Sequence, residues 1–196
     1  MELRNICKSF GDNEVLKNIN MVIPKGSRVL ISAPSGRGKT TLLRIMMGLV
    51  APDSGEVLNR PKHQAAVFQE DRLQEEFTPV KCVKTACPHG VSKDAVRNHL
   101  IAVGLDGHID KPVSELSGGM RRRVAIVRAV LSGAETVYLD EPFTGLDEIT
   151  KERVIDYILS NCEDRTLIFV SHCPEDAKKL NAKELRILNK SVKNGQ

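Results

Sequence analysis

The chain has 196 residues, enough for one well-packed domain with room for a small sub-domain. Apolar residues make up 41% and charged residues 28%, a globular balance that excludes a low-complexity or disordered protein. The 29 Lys and Arg against 25 Asp and Glu leave a formal charge of +4, too mild to argue for nucleic-acid binding from charge.

In chain order, residues 1–8 and 15–23 read as strands, with Ser9-Phe10-Gly11-Asp12-Asn13 as the turn between them. Arg28-Val29-Leu30-Ile31-Ser32 reads as a buried strand. A glycine-rich turn follows it, and then Leu42, Ile45, Met46 and Leu49 fall at helical spacing, with Pro52 beyond the stop. Short strands are predicted near Glu56–Leu58 and Ala65–Phe68. From about Asp71 to Val113 the pattern changes, with weak strand signals and one clear helix, Lys93 to Val103, capped by Ser92. A helix from about Gly119 to Leu131, a strand Thr136–Leu139 and a helix from Glu148 to about Ser160 come next. A strand Leu167–Ser171, a short helix near Glu175–Leu180 and a last strand Glu184–Leu188 end the pattern. Strands alternating with helices predict an α/β fold with a mainly parallel sheet covered on both faces. On this reading 1–196 is a single domain: residues 1–70 and 114–196 form the core, including an N-terminal antiparallel β part, and 71–113 form an inserted helical sub-domain.

The five cysteines are scattered, and no second Cys or His pair matches the Cys82, Cys87 and His89 spacing, so reduced thiols of a cytosolic protein are expected rather than a metal site. No run approaches the ~20 apolar residues of a membrane span, and Met1-Glu2-Leu3-Arg4-Asn5 does not read as a signal peptide, so the chain is not expected to be embedded in a membrane.

The strongest local signal is Ala33-Pro34-Ser35-Gly36-Arg37-Gly38-Lys39-Thr40, between a buried strand and a helix. Gly36 and Gly38 let the backbone N–H groups turn inward on phosphate oxygens, and the helix N-terminus adds the positive end of its dipole. Lys39 brings a cation to the β- and γ-phosphates, and the Thr40 hydroxyl is a ligand for Mg²⁺. Ala33 stands where this motif usually has glycine, so either its φ is negative or the loop carries strain.

Val137-Tyr138-Leu139-Asp140-Glu141 is an apolar strand that ends in two acids, expected at the same sheet edge as the glycine-rich turn. Bound Mg²⁺ relieves the repulsion of adjacent carboxylates: Asp140 is expected to hold the metal and Glu141 to polarise the water that attacks a γ-phosphate. His172 ends another strand in the same way and can donate to a phosphate in either protonation state; His63, His89, His99 and His108 read as surface residues. Leu116-Ser117-Gly118-Gly119-Met120-Arg121-Arg122-Arg123 opens a second helix with a hydroxyl and bare N–H groups, a second anion-binding helix start. Met120, Val124, Val127 and Leu131 line one face of that helix.

Taken together and in this order, the motifs resemble the ATP-binding-cassette (ABC) ATPases over about residues 1 to 188, most like the ATPase subunits of bacterial nitrate, sulfonate and taurine importers. The resemblance implies a P-loop NTPase fold of ABC type and ATP hydrolysis. It implies that Phe10 stacks on adenine, that the loop through Ser35, Gly36, Arg37, Gly38, Lys39, Thr40 and Thr41 binds ATP, and that Gln69 touches Mg²⁺ beside Thr40 and Asp140. It implies that Ser117, Gly118 and Gly119 contact the nucleotide of a second cassette packed head to tail, with Asp147 in the loop across that dimer. Met120 replaces the usual signature glutamine. The implied partners are a second ATPase subunit, forming a homodimer, a transmembrane permease and a solute-binding protein, with the chain peripheral on the cytoplasmic face of the cell membrane. No nucleic-acid partner is expected. Leu73, Phe77 and Val80 are either permease contacts or core packing, and Arg121-Arg122-Arg123 reads as a solvated face with one or two structural arginines. Two rivals stand beside this reading. One is a soluble cassette acting on nucleic acid or translation, against which the 47 positions between Gln69 and Leu116 leave no room for a coiled-coil arm. The other is a subunit that binds ATP without hydrolysing it.

Overall fold

A computed structural model of the chain describes residues 1–34 and 36–187. Two sheets build it. Strands β1 (Glu2–Phe10), β2 (Asn13–Val22) and β4 (Ser54–Leu58) form an antiparallel sheet in the order β2-β1-β4. Strands β3 (Arg28–Ser32), β5 (Gln64–Val67), β6 (Thr136–Asp140), β7 (Thr166–Val170) and β8 (Lys183–Arg186) form a wholly parallel sheet in the order β5-β6-β7-β3-β8.

All five residues of both β6 and β7 are buried, because helices or the second sheet cover each face of the parallel sheet, so both strands read as apolar runs rather than alternations. The two-residue period still sorts their side chains. Tyr138, Ile168 and Val170 face a cluster made with Leu3, Ile6 and Leu16 of the antiparallel sheet and Leu42, Ile45 and Met46 of helix α1 (Lys39–Met47). Leu139, Leu167 and Phe169 face the other cluster. There they meet Val124 and Val127 of the helix Gly118–Leu131, and Val154 and Ile158 of the helix Glu148–Asn161.

The stretch read as helical holds two helices rather than one, α2 (Pro79–Lys84) and α3 (Lys93–Ala102), so that the helix Gly118–Leu131 is α4 and Glu148–Asn161 is α5, with α6 at Glu175–Lys179. At six residues α2 is too short for periodicity to reveal; Thr78 caps it, accepting from the Lys81 N–H, and proline opens it. Ser92 caps α3 as expected, accepting from the Ala95 N–H at 3.0 Å. Val80, Val83, Val96 and Leu100 join the same cluster as Leu139 and Phe169, while Leu73 and Phe77 pack against its edge, so core packing accounts for these residues.

Other expectations shift in detail. The first hairpin is tighter than the predicted five-residue turn: Phe10 pairs with Asn13, and Gly11, at φ 56°, takes the positive dihedral of a two-residue turn. Leu49 falls outside α1 and is exposed, because Gly48 at φ 79° ends the helix and its N–H returns to the Arg44 and Ile45 carbonyls. His99 is not a plain surface histidine; its ring meets Tyr157 edge-on and the Tyr157 hydroxyl lies 3.1 Å from Nδ1. Partial burial holds the His99 pKa below its ordinary value. The expected last strand extends to Leu188, which lies outside the described residues.

Candidate functional site

Four neighbouring strands, β5-β6-β7-β3, point their carboxyl ends the same way, and each delivers a polar group just beyond its end. β5 leads to Gln69, β6 ends in Asp140 and runs into Glu141, β7 leads to His172, and β3 leads into the glycine-rich turn and Lys39. These groups line one cleft of about 360 Å³ together with Phe10, Val15, Gly36, Gly38, Thr40, Thr41 and Val170.

The turn is shaped for close approach. Gly36 and Gly38 have φ of 75° and 79°, and Gly38 is the N-cap of α1. A Cβ on Gly38 would lie 2.6 Å from Val15 Cγ1 and 2.8 Å from Leu16 Cδ2. Ala33 is not among the residues with positive φ, so alanine there carries no left-handed strain. The Lys39 ammonium is buried and donates to the Ala33 carbonyl at 3.0 Å, and lies 3.5 Å from that of Pro34. Phe10 is half exposed at the rim, with Lys8 Nζ 5.4 Å from its ring centre. Ser35 lies outside the described residues, and Arg37 is exposed and does not line the cleft.

Glu141 sits at φ 52°, a left-handed backbone uncommon for any residue but glycine or asparagine. Its N–H donates to the Val170 carbonyl at 3.1 Å, tying the end of β6 to β7. Carboxylate Oε2 accepts from the His172 N–H at 3.3 Å, and Oε1 lies 3.2 Å from His172 Nε2. Burial pushes the Glu141 pKa up; the charge and N–H of His172 oppose this, Asp140 adds to it and Lys39 opposes it. Asp140 is 3% exposed, and its Oδ1 has neither a hydrogen-bond nor an ion-pair partner among the described residues. A bare buried carboxylate oxygen beside Thr40 and Gln69 matches the hard oxygen donors a Mg²⁺ ion takes.

Behind His172 lies a network the sequence did not reveal. Ser171 Oγ donates to Asp176 Oδ2 at 2.5 Å and accepts from the Cys173 N–H at 3.0 Å, while Lys151 Nζ lies 2.6 Å from Asp176 Oδ1. It fixes the segment that carries the imidazole. Lys151 and Asp176 are far apart in sequence, and no local pattern joins them. Val15 and Val170 were missed for another reason, since an apolar residue against a glycine or at a strand end leaves no chemical signature.

Ser117, Gly118 and Gly119 do not line this cleft. Ser117 caps α4 by accepting from the Met120 N–H at 3.3 Å. A Cβ on Gly119 would meet the Gly145 carbonyl at 2.9 Å, so the start of α4 lies against the loop that ends at Asp147. Asp147 in turn caps α5, accepting from the Thr150 N–H at 2.9 Å and hydroxyl at 2.7 Å; these bonds hold its pKa below the usual carboxylate range. Of the three consecutive arginines, two are structural: Arg122 is buried, and Arg123 donates to the Val103 and Gly104 carbonyls at the end of α3.

A profile of the ABC transporter family matches residues 16–144. The chain is 37% identical over 183 residues to the aliphatic sulfonates import ATP-binding protein SsuB 1 of Nocardia farcinica, covering 92% of this chain and 74% of that protein. It is 34% identical over 194 residues to the Fe(3+) ions import ATP-binding protein FbpC of Escherichia coli, covering 90% of this chain and 56% of that one. Among solved structures it matches a dimeric post-hydrolysis state of an ATP-binding cassette bound to ADP and Pi. That match has a TM-score of 0.81 and 26% identity, and covers 95% of this chain and 93% of that one.

Proposed function

The chain belongs to the ABC transporter family, as an import-type ATP-binding subunit that hydrolyses ATP, and from that premise we propose that two copies close head to tail on Mg–ATP to drive a bacterial permease. The observation that carries the reading is a cleft lined by Lys39, Thr40, Gln69, Asp140, Glu141 and His172, with none of Ser117, Gly118 and Gly119 in it. The second helix start, with its bare N–H groups, is then free to close on the nucleotide of another copy.

Phe10 at the rim offers its ring to the adenine, and the Gly36–Thr41 turn cradles the phosphates with backbone N–H groups. Lys39 exchanges its bonds to the Ala33 and Pro34 carbonyls for the β- and γ-phosphate oxygens. Thr40, Gln69 and Asp140 hold Mg²⁺, which when bound neutralises phosphate charge. Glu141, raised in pKa by burial, takes a proton from the attacking water, and His172 both steadies that carboxylate and donates to the γ-phosphate. Asp147 fixes the loop at the mouth of the dimer by capping α5. The partner subunit's Ser117 and the partner subunit's Gly119 supply the remaining donors.

Relatives that share this cassette are named for sulfonates, Fe(3+) and spermidine/putrescine. Such different cargoes on one motor support a transported solute chosen by the permease and a solute-binding protein. No described helix is long and apolar enough to cross a membrane, which fits a subunit held at the inner face by its permease. The test is Glu141→Gln with saturating ATP on a sizing column: the expected outcome is a doubling of mass that reverses when nucleotide is removed. A variant that binds ATP yet stays monomeric would sink the sandwich.

A further inference from the structure

Helix α4 begins at Ser117–Gly119, and just over one turn later it sends Arg122 inward. Only 6% exposed, Arg122 donates through Nη1 to the Phe68 carbonyl and through Nη2 to the Gln69 carbonyl at 2.5 Å. Its counter-ion, Asp71, lies 3.2 Å away, with a side chain that is itself mostly buried. Further along α4, Arg128 donates to the carbonyls of Asp71 at 3.2 Å and Arg72 at 2.9 Å. The loop leaving β5 thus hangs from two guanidiniums on α4 by four of its carbonyl groups.

We propose that Arg122 is a positioning residue that couples Gln69 in one chain's cleft to the Ser117–Gly119 helix start of the same chain, which serves the other chain's nucleotide. The inference rests on the proposed roles of Gln69 and of the α4 start. Arg123 and Arg165 also satisfy carbonyl groups, but neither bonds a residue that lines the cleft. A planar guanidinium that grips two successive carbonyls fixes their direction as well as their distance, so a shift of the loop moves α4, and the reverse. Arg122 does not itself line the cleft. Its effect therefore falls on closure and turnover rather than on the first binding of ATP.

The test uses the full-length chain with Arg122→Lys, and with Arg122→Gln combined with Asp71→Asn so that no buried charge is left unpaired. Lysine keeps the charge opposite Asp71 but cannot grip both carbonyls. The expected result for both is an unchanged ATP dissociation constant and melting temperature, with kcat reduced about 10- to 100-fold, the scale on which misplacement of a supporting group acts. In a Glu141→Gln background, the ATP concentration needed for pairing should rise by a similar factor while binding to the monomer stays put. Wild-type kcat in Arg122→Lys would overturn the proposal by reducing Arg122 to a counter-ion for Asp71. So would a fall of ATP affinity, kcat and melting temperature together, which marks a structural role. The unaltered chain is the control that separates this failure from the other. If it neither turns over ATP nor pairs as Glu141→Gln, the proposed function fails, whereas active wild type beside equally active variants sinks the coupling alone.

Discussion

At the scale of single residues, Glu141 concentrates several costs in one place. It is buried, it holds φ at 52°, and it neighbours Asp140. A left-handed non-glycine residue costs on the order of 1–3 kcal/mol and persists only where the surroundings dictate it. Here the Glu141 N–H bond to Val170 and the contacts to His172 do so. The raised pKa makes a stability prediction with a definite sign. The folded state holds this proton more tightly than the unfolded chain, so the wild type is unburdened below the ordinary glutamate pKa. It loses stability as pH rises through the folded value. Glu141→Gln should therefore match the wild type in thermal melts near pH 4 and melt higher near pH 8. A gap that does not change with pH would show that the carboxylate is not the source.

At the scale of elements, the two glycine-bearing helix starts make opposite demands. Gly38 needs both its left-handed φ and its missing side chain, because a Cβ would meet Val15 and Leu16 inside the hydrophobic layer under the antiparallel sheet. Gly38→Ala should cost about 1–3 kcal/mol of stability from overpacking alone, measured by denaturant unfolding, and should weaken ATP binding as well. Gly118 has open space around it and no positive φ. Gly118→Ala should leave the isolated chain as stable as wild type, yet raise the ATP concentration at which Glu141→Gln pairs, since in the proposed head-to-tail pair its methyl group would stand where a second copy's nucleotide docks. If pairing were indifferent to that methyl group, the start of α4 would not be at the interface.

At the scale of the whole molecule, the cleft-bearing sheet and the helices around α4 are joined through shared interior rather than a linker. Residues of α2 and α3 enter the same cluster as β6 and β7, and His99 with Tyr157 adds a polar tie between α3 and α5. The shared packing makes one contiguous interior from the cleft-bearing sheet to the helical face. The chain, tagged and extracted gently from native membranes with detergent, should bring with it a polytopic membrane protein in matching amount, identified by mass spectrometry. Recovery of only soluble proteins or RNA would favour the soluble-cassette alternative and leave the ATP chemistry intact.

The sequence by itself determined the order of elements apart from α2 and pointed to a phosphate site, because both are written in short windows. Apolar runs mark β3, β6 and β7, glycine marks the turn before Lys39, and Asp140, Glu141 and His172 each stand within two residues of the end of an apolar run. Family resemblance supplied roles for Phe10, Gln69 and Asp147 that no local pattern carries. Only the tertiary structure decided what depends on distant partners: that Ala33 escapes strain, that six residues after Thr78 form a helix, and that Lys151 meets Asp176 behind His172. It also decided that Arg122 turns inward to Gln69 while Arg121 beside it stays partly exposed. Three identical side chains in a row look alike in sequence; the 100° step of the helix sends Arg122 to the carbonyls of the loop after β5 and Arg123 to those at the end of α3.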